Sequence, residues 1–191
     1  MKKKLTIIFS GPSGVGKSTL IDYLLKMFDY AGLTVSHTTR SPRNEEVDGV
    51  NYHFVTFEQF NRMVENDDFV EYVECYGNFY GTSKQAIIEV LRDKDICVLD
   101  LEYEGAYRLL SEGIAGSRCV GILVLPPSLR ILKQRLCERK SETSESLSMR
   151  INEAFKINKT VKYDYVIIND DLKTSEQTLL RLIEKELNQL L

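Results

Sequence analysis

The chain has 191 residues, 43% of them hydrophobic, which suits one domain with a buried core. Its formal net charge of −3 and pI near 5.6 exclude the pervasive basic surface of a protein that binds nucleic-acid polymers, while leaving room for a local basic cluster that holds small phosphates. The cysteines, at 75, 97, 119 and 137, form no C-x-x-C pair and have no histidine at metal-ligand spacing, so no disulfide framework is expected.

The N-terminal MKKK precedes an apolar run of only five residues, LTIIF (5–9), too short for a signal peptide. No stretch approaches the ~20 apolar residues of a membrane span. The expectation is a cytoplasmic, soluble protein with no membrane partner. Residues 5–9 read as a buried strand, and GPSGVGKSTL (11–20) follows at once. Gly11, Gly16, Lys17 and Ser18 satisfy G-x-x-x-x-G-K-[ST]. The glycines let successive N–H groups face one anion. A helix over 18–28, with Leu20, Ile21, Leu24, Leu25 and Phe28 on one face, aims its positive dipole end at the same point. Lys17 supplies a point charge to the β- and γ-phosphates, and Ser18 a hydroxyl to Mg²⁺. These residues predict nucleotide binding without naming the reaction.

Residues 35–82 differ in texture, with aromatic, alternating segments NYHFV, FVEYVE and YGNFYG. Thr56 and Gln59 predict a capping box on a short helix bearing Phe57, Phe60 and Val64. This stretch reads as an α+β lobe inserted between two core strands. Within it, Arg40 and Arg43 flank Pro42, with Tyr52 nine residues on. Arginine binds phosphate through planar, bidentate contacts, so the trio suits a phosphate monoester. It equally suits a pair of exposed loop arginines, and spacing alone does not choose.

A helix is expected over 83–92 and a strand over 96–99, closing on Asp100 and Glu102. The two-residue period puts both carboxylates on one side, Asp100 being a candidate partner for Mg²⁺ or a plain solvent-facing acid. A strand over 120–125 leads to a helix opened by Ser128, then to the polar stretch 138–150, a solvated loop or a lid. A strand over 165–168 and a helix from Ser175 complete the chain. Strands alternating with helices predict an α/β fold on a parallel sheet.

Several motifs then occur in order: GPSGVGKST (11–19), S-x-T-T-R-x-P-R (36–43), VDGVNYHF (47–54), FVEY (69–72), GNFYGTS (77–83), LDLEYEGA (99–106), the PPS–RL–ER series (126–139), SMR (148–150) and NDDL (169–172). Together they resemble the guanylate kinase family along essentially the whole chain. The resemblance implies a P-loop three-layer fold with a central parallel sheet, as a single domain. Its core is 1–34, 83–137 and 151–191, its inserted α+β GMP-binding lobe 35–82, and its mobile lid 138–150. The implied activity is Mg²⁺-dependent transfer of the ATP γ-phosphoryl group to GMP or dGMP.

The resemblance also implies site residues. Gly11, Pro12, Ser13, Gly14, Val15, Gly16, Lys17, Ser18 and Thr19 match the ATP loop, and Asn169 a position near the donor adenine. Ser36, Arg40, Arg43, Tyr52 and Tyr80 match the holders of the acceptor phosphate. Glu71 and Thr82 match the readers of guanine, with Asp100 and Glu102 beside the acceptor and Ser18 and Asp100 on the metal. Lys17, Arg40, Arg135, Arg139 and Arg150 match the charges around the transferring group. A carboxylate at Glu71 accepts from guanine N1–H and its amino group, neither of which adenine offers. Family departures are Glu102 for aspartate, Glu104 for glutamine, Phe79 for tyrosine and Lys140 for glycine. His37 stands where a small residue is common and reads as a packing or exposed residue. Two other functions share the scaffold: a binding module without catalysis, disfavoured by the retained Lys17 and Ser18, and a kinase of another phosphorylated molecule, disfavoured by Glu71 and Thr82. Monomer and homo-oligomer both fit.

Overall fold

A computed structural model describes residues 4–75, 77–138 and 162–190. Among these the elements run β1 (Lys4–Ser10), α1 (Lys17–Met27), β2 (Ala31–Leu33), β3 (His37–Thr38), β4 (His53–Phe54), α2 (Phe57–Glu65), β5 (Phe69–Cys75), β6 (Asn78–Ser83), α3 (Lys84–Asp93), β7 (Ile96–Asp100), α4 (Tyr103–Glu112), β8 (Ser117–Leu125), α5 (Leu129–Glu138), β9 (Tyr165–Ile168) and α6 (Leu172–Asn188). The expected lid, and with it Arg139 and Arg150, lies outside the described residues apart from position 138.

The core sheet has the order β2-β7-β1-β8-β9, and every pairing is parallel. Parallel strands covered on both faces need apolar residues at odd and even positions alike. In β1, Leu5, Ile7 and Phe9 pack on one side with Leu20 and Leu24 of α1 and Leu179 and Ile183 of α6. Ile8 points to the other side, among Ile87 of α3, Leu99 of β7 and Leu109 of α4. That two-sided burial explains why the strands read as unbroken apolar runs and makes three layers.

Hydroxyl and carboxylate caps set several helix starts. Ser83 Oγ accepts from Ala86 N at 3.1 Å before α3, and Asp171 Oδ1 from Thr174 N at 2.9 Å before α6. The expected capping box is present on α2: Gln59 N donates to Thr56 Oγ1 at 3.2 Å and Thr56 N to Gln59 Oε1 at 2.7 Å. The last helix begins at Leu172, three residues earlier than its apolar pattern suggested, because the cap rather than the apolar stripe sets its start.

A second sheet, β4-β3-β6-β5, is built wholly from residues 37–83. Its aromatic residues form its own packing: Phe60 stacks on Phe69 at 4.5 Å, and Phe57 meets Phe79 edge-on at 4.9 Å. Gly81 lets these rings lie against the sheet, since a Cβ there would stand 2.9 Å from the Phe69 ring.

The same sheet pairs His37 with His53, ring centroids 4.7 Å apart, and His37 meets Phe69 edge-on at 5.7 Å. His37 Nδ1 is buried without a hydrogen-bond partner. Burial, and secondarily the neighbouring His53, lowers the His37 pKa to about 4. In the unfolded chain it titrates near 6.5. The unfolded state therefore binds the extra proton between these values, and the stability held by the neutral ring is whole above about 6.5 and lost as pH falls towards 4. Urea midpoints measured from pH 7 to 4.5 are expected to fall more steeply for the native chain than for His37→Leu. Parallel slopes would show that His37 takes no part in the acid limb.

Candidate active site

The cleft lies at the C-terminal edge of the core sheet, where β1 runs into the glycine loop and β7 ends on Asp100, and the small sheet forms its other wall. Its volume is about 460 Å³. Ligands of open parallel sheets bind outside this edge because the connecting loops converge there.

On the loop side, Gly11, Gly14 and Gly16 have φ of 144°, 82° and 97°, in the region that favours glycine. A Cβ on Gly11 would meet Val124 O at 2.2 Å, and one on Gly16 the Asn169 amide at 2.4 Å. Asn169 is buried beneath the loop and donates from Nδ2 to Val15 O at 2.8 Å. Val15 is itself fully buried, so the loop is pinned from below at two adjacent points. Lys17 folds back across the loop, donating to Gly11 O at 2.7 Å, with Asp100 Oδ1 at 3.6 Å. The Asp100 side chain opens to the cleft on one side, 36% exposed, and the walls enclose it on the others. Burial pushes its pKa up and Lys17 opposes the shift.

On the opposite wall, Glu71 and Thr82 sit directly across the β5–β6 ladder. Glu71 Oε1 accepts from Thr82 N at 2.9 Å, and the Thr82 and Ser36 hydroxyls lie 3.1 Å apart. Glu71 is 3% exposed, and burial raises its pKa to about 7, against the pull of the Thr82 hydrogen bonds. Arg40 extends beside Tyr52, its Cζ 5.5 Å from that ring's centroid, and Tyr52 meets Tyr80 at 6.0 Å. Burial, with Asp100 as the next cause, pushes the Tyr52 phenol up to about 12. It therefore remains a hydrogen-bond donor throughout the neutral range.

The lining brings together Pro12, Ser13, Gly14, Gly16, Lys17 and Ser18 from the loop with Ser36, Arg40, Arg43, Tyr52, Glu71, Tyr80, Asp100 and Glu102. Glu102 is not part of β7, which ends at Asp100. It is the N-cap position of α4, and it reaches the cleft through that turn rather than through strand alternation. Gly11, Val15, Thr82 and Asn169 stand behind the lining, and Thr19 lies exposed on α1. Arg135, on α5, is directed at Asp170 O, 3.5 Å away, and lies outside the lining. Among the lining residues that the sequence did not single out is Glu46, whose carboxylate takes a fork from Arg40 at 2.8 and 2.9 Å. It stands in the run NEEVD (44–48), where spacing singles out no carboxylate, and only the turn reveals the pairing.

The guanylate kinase family model matches residues 3–186. The chain belongs to the guanylate kinase family. A protein named guanylate kinase from Clostridioides difficile strain 630 is 44% identical over 189 residues, covering 98% of this chain and 91% of that one. Another so named, from Clostridium perfringens strain SM101, is 45% identical over 168 residues, 87% of this chain and 76% of the relative. A crystal structure of guanylate kinase from Anaplasma phagocytophilum superimposes with a TM-score of 0.72 at 26% identity, over 97% of this chain and 87% of that one. The fold and the family expected from the motifs thus stand. As a guanylate kinase family member the chain is a nucleoside monophosphate kinase, a phosphotransferase that uses ATP to phosphorylate GMP.

In this guanylate kinase fold, the buried Glu71 carboxylate lies on the first turn of α4. A Cβ on Gly105 would stand 2.2 Å from Glu71 Oε2 and 2.9 Å from Cδ. Gly105→Ala is expected to lower stability by about 1–3 kcal/mol, as overpacking does. Urea unfolding checks the cost. A Glu71→Ala change in the same chain should relieve part of it, since the two sites share the contact. Strict additivity would contradict the clash.

Proposed function

We propose that the chain transfers the γ-phosphoryl group of ATP to GMP and also to dGMP, with Mg²⁺, and that the cleft residues divide that task between a donor wall and an acceptor wall. The observation that carries this reading is the position of Glu71: a buried carboxylate, held by Thr82, in the same cleft as the phosphate loop. On this reading Glu71 accepts from guanine N1–H and the exocyclic amino group. Thr82 is fully buried, so its part is to hold Glu71 and Ser36 in place. Arg40, Arg43, Tyr52 and Tyr80 hold the acceptor phosphate, and the loop with Lys17 holds the ATP phosphates, braced by Asn169.

The acceptor is itself a phosphate monoester with a second pKa near 6, so at neutral pH it is already an anionic nucleophile. No general base is required. The barrier lies in bringing two polyanions together, and catalysis consists of positioning and positive charge. Lys17, Arg40 and Arg135 are assigned to it, together with Arg139 and Arg150 from outside the described residues. The donor set fits Mg²⁺: Ser18 and Asp100 offer hydroxyl and carboxylate oxygens, and such an ion takes the rest of its shell from phosphates and water. When bound, it neutralises charge on the transferring group. Among the described residues no helix is long and apolar enough to cross a membrane.

Coupled measurement of ADP formation from ATP and Mg²⁺ tests the acceptor. GMP and dGMP are expected to turn over, with kcat/KM for AMP lower by about 10⁴-fold, the ratio that an unmatched hydrogen-bonding site imposes. Equal turnover of AMP would sink the role of Glu71, and no turnover of any acceptor by the folded chain would favour a binding module.

A pH dependence follows from the same carboxylate. Its folded pKa, about 7, stands above an ordinary unfolded value near 4.5. Its contribution to stability is therefore whole below 4.5 and lost as pH rises through 7. Below 7 the cleft holds a proton on Glu71. Guanine recognition expels it. The KM for GMP should rise as pH falls from 8 to 6, approaching about tenfold per unit. Inhibition by guanosine, which has no phosphate to titrate, should weaken in parallel. A flat guanosine profile would contradict the assignment.

A further inference from the structure

Glu46 has no role in the reading above, yet it lines the cleft and forks to one of its arginines. Its Oε2 accepts from Arg40 Nη1 at 2.9 Å and its Oε1 from Arg40 Nη2 at 2.8 Å. Oε2 also accepts from the Arg43 backbone N–H at 2.7 Å, and Glu46 N donates to Arg43 O at 3.0 Å. The carboxylate is thus built into the 43–46 turn, not an arm reaching across the cleft. Arg40 Nη1 makes a further bond, to Ser41 O at 2.7 Å. The guanidinium lies over the rings of Tyr52 and Phe54, its Cζ 5.5 and 5.7 Å from their centroids.

A guanidinium has five N–H donors. Glu46 takes one from each Nη, and Ser41 takes the second from Nη1. Nε–H and the second Nη2–H are taken by neither, and the Tyr80 hydroxyl, another of the residues assigned to the phosphate, is the remaining hydrogen-bonding neighbour of this guanidinium. These two N–H groups lie side by side on one edge, which is the geometry of a second fork suited to phosphate. With its far edge clamped and its Cζ over two rings, Arg40 is held to present that edge.

We propose that Glu46 is a positioning residue for the acceptor phosphate: it clamps the outer edge of Arg40 and the Arg43 main chain so that the Nε–Nη2 edge of Arg40 meets the phosphate. The inference rests on the reading that Arg40 and Arg43 hold that phosphate. Glu46 also places a negative charge across the Arg40 guanidinium from the phosphate subsite, which by charge alone would weaken GMP binding. Fixed orientation outweighs that repulsion here, because a loose arginine in a half-buried site must be ordered anew by each substrate.

Steady-state kinetics of Glu46→Ala, Glu46→Gln and Arg40→Met, with guanosine as a phosphate-free competitor, test the proposal. Glu46→Ala should raise the KM for GMP about tenfold, the lower end of what losing an outer support costs at a charged site. Glu46→Gln, which keeps an acceptor oxygen, should raise it less. The KM for ATP and the guanosine inhibition constant should not move in either variant, which separates lost phosphate positioning from a collapsed lobe. An unchanged or lowered KM for GMP in Glu46→Ala overturns the proposal, the lowered value marking Glu46 as a competitor of the phosphate. Weakened guanosine inhibition overturns it too, as a general disruption. Arg40→Met tells the layers apart. If it raises the KM for GMP and the Glu46 variants do not, the positioning role alone fails. If it has no effect, the phosphate-binding reading fails and the inference with it.

Discussion

The parallel pairing of β1 between β7 and β8 sets the geometry on which the rest of the molecule depends. Phe9 pairs with Asp100 and Ser10 with Leu123, so the glycine loop and the Asp100 carboxylate leave the sheet at the same height. Leu101 N donates back to Phe9 O at 2.9 Å, and Asn169 N to Leu125 O at 2.8 Å. Asn169 is delivered under the loop by the last of these bonds. Gly11 presses on Val124 O so closely that no side chain fits between them. A slip of one residue between these strands would exchange the side chains packed on α1 and α6 with those packed on α3 and α4, so the fit of each layer also protects the cleft's floor.

The wall proposed to hold the acceptor is tied to that floor by a different device. The chain leaves the core after β2, builds the small sheet and returns at α3, with Thr34 N bonded to Val98 O and Lys84 N to Asp68 O at the two crossings. Between these crossings β5 lies against α4 of the core, and Glu71 meets Gly105 there. The position proposed to read the base is therefore also a packing position. That dual place explains its raised pKa: burial shields the carboxylate from water so that an unmatched base finds no substitute partner, and the same burial disfavours its charge.

What the sequence discloses follows from how local each feature is. The phosphate loop is contiguous, and its glycines, lysine and following helix can be read without knowing what packs on them. The α2 capping box is local in the same sense. Glu71 and Thr82 are eleven residues apart and meet only through the β5–β6 hairpin, so their pairing could be reached through family resemblance and not through spacing. Asp100 and Glu102 were grouped by strand periodicity. They do share the cleft, but Glu102 arrives by the turn into α4, where that periodicity no longer applies. The α4 helix itself escaped notice because Gly105 interrupts a short apolar pattern, and β2 because three residues, AGL, carry no period. Asn169, matched to a position near the donor base, is enclosed beneath the loop. Only the fold shows that, since its partner Val15 is 154 residues away.

Two of the cations lining the cleft, Lys17 and Arg40, are held in ways that suit different duties on the proposed roles. Each is satisfied by one main-chain carbonyl and one carboxylate: Lys17 by Gly11 O and Asp100, Arg40 by Ser41 O and Glu46. A partly buried cation without such partners would cost stability and lose its place. The contacts differ in strength. Lys17 stands 3.6 Å from Asp100, a loose contact between point charges, whereas Arg40 is forked to Glu46 at 2.8 and 2.9 Å. An ammonium on a four-carbon stem can leave a loose partner and follow a phosphoryl group as it moves. A planar guanidinium can keep its carboxylate on one edge and still bind phosphate with the other, so it need not move at all. Lysine on the donor wall and arginine on the acceptor wall then reflect what each must do: the first accompanies the group in transit, and the second keeps the receiving phosphate still until that group arrives.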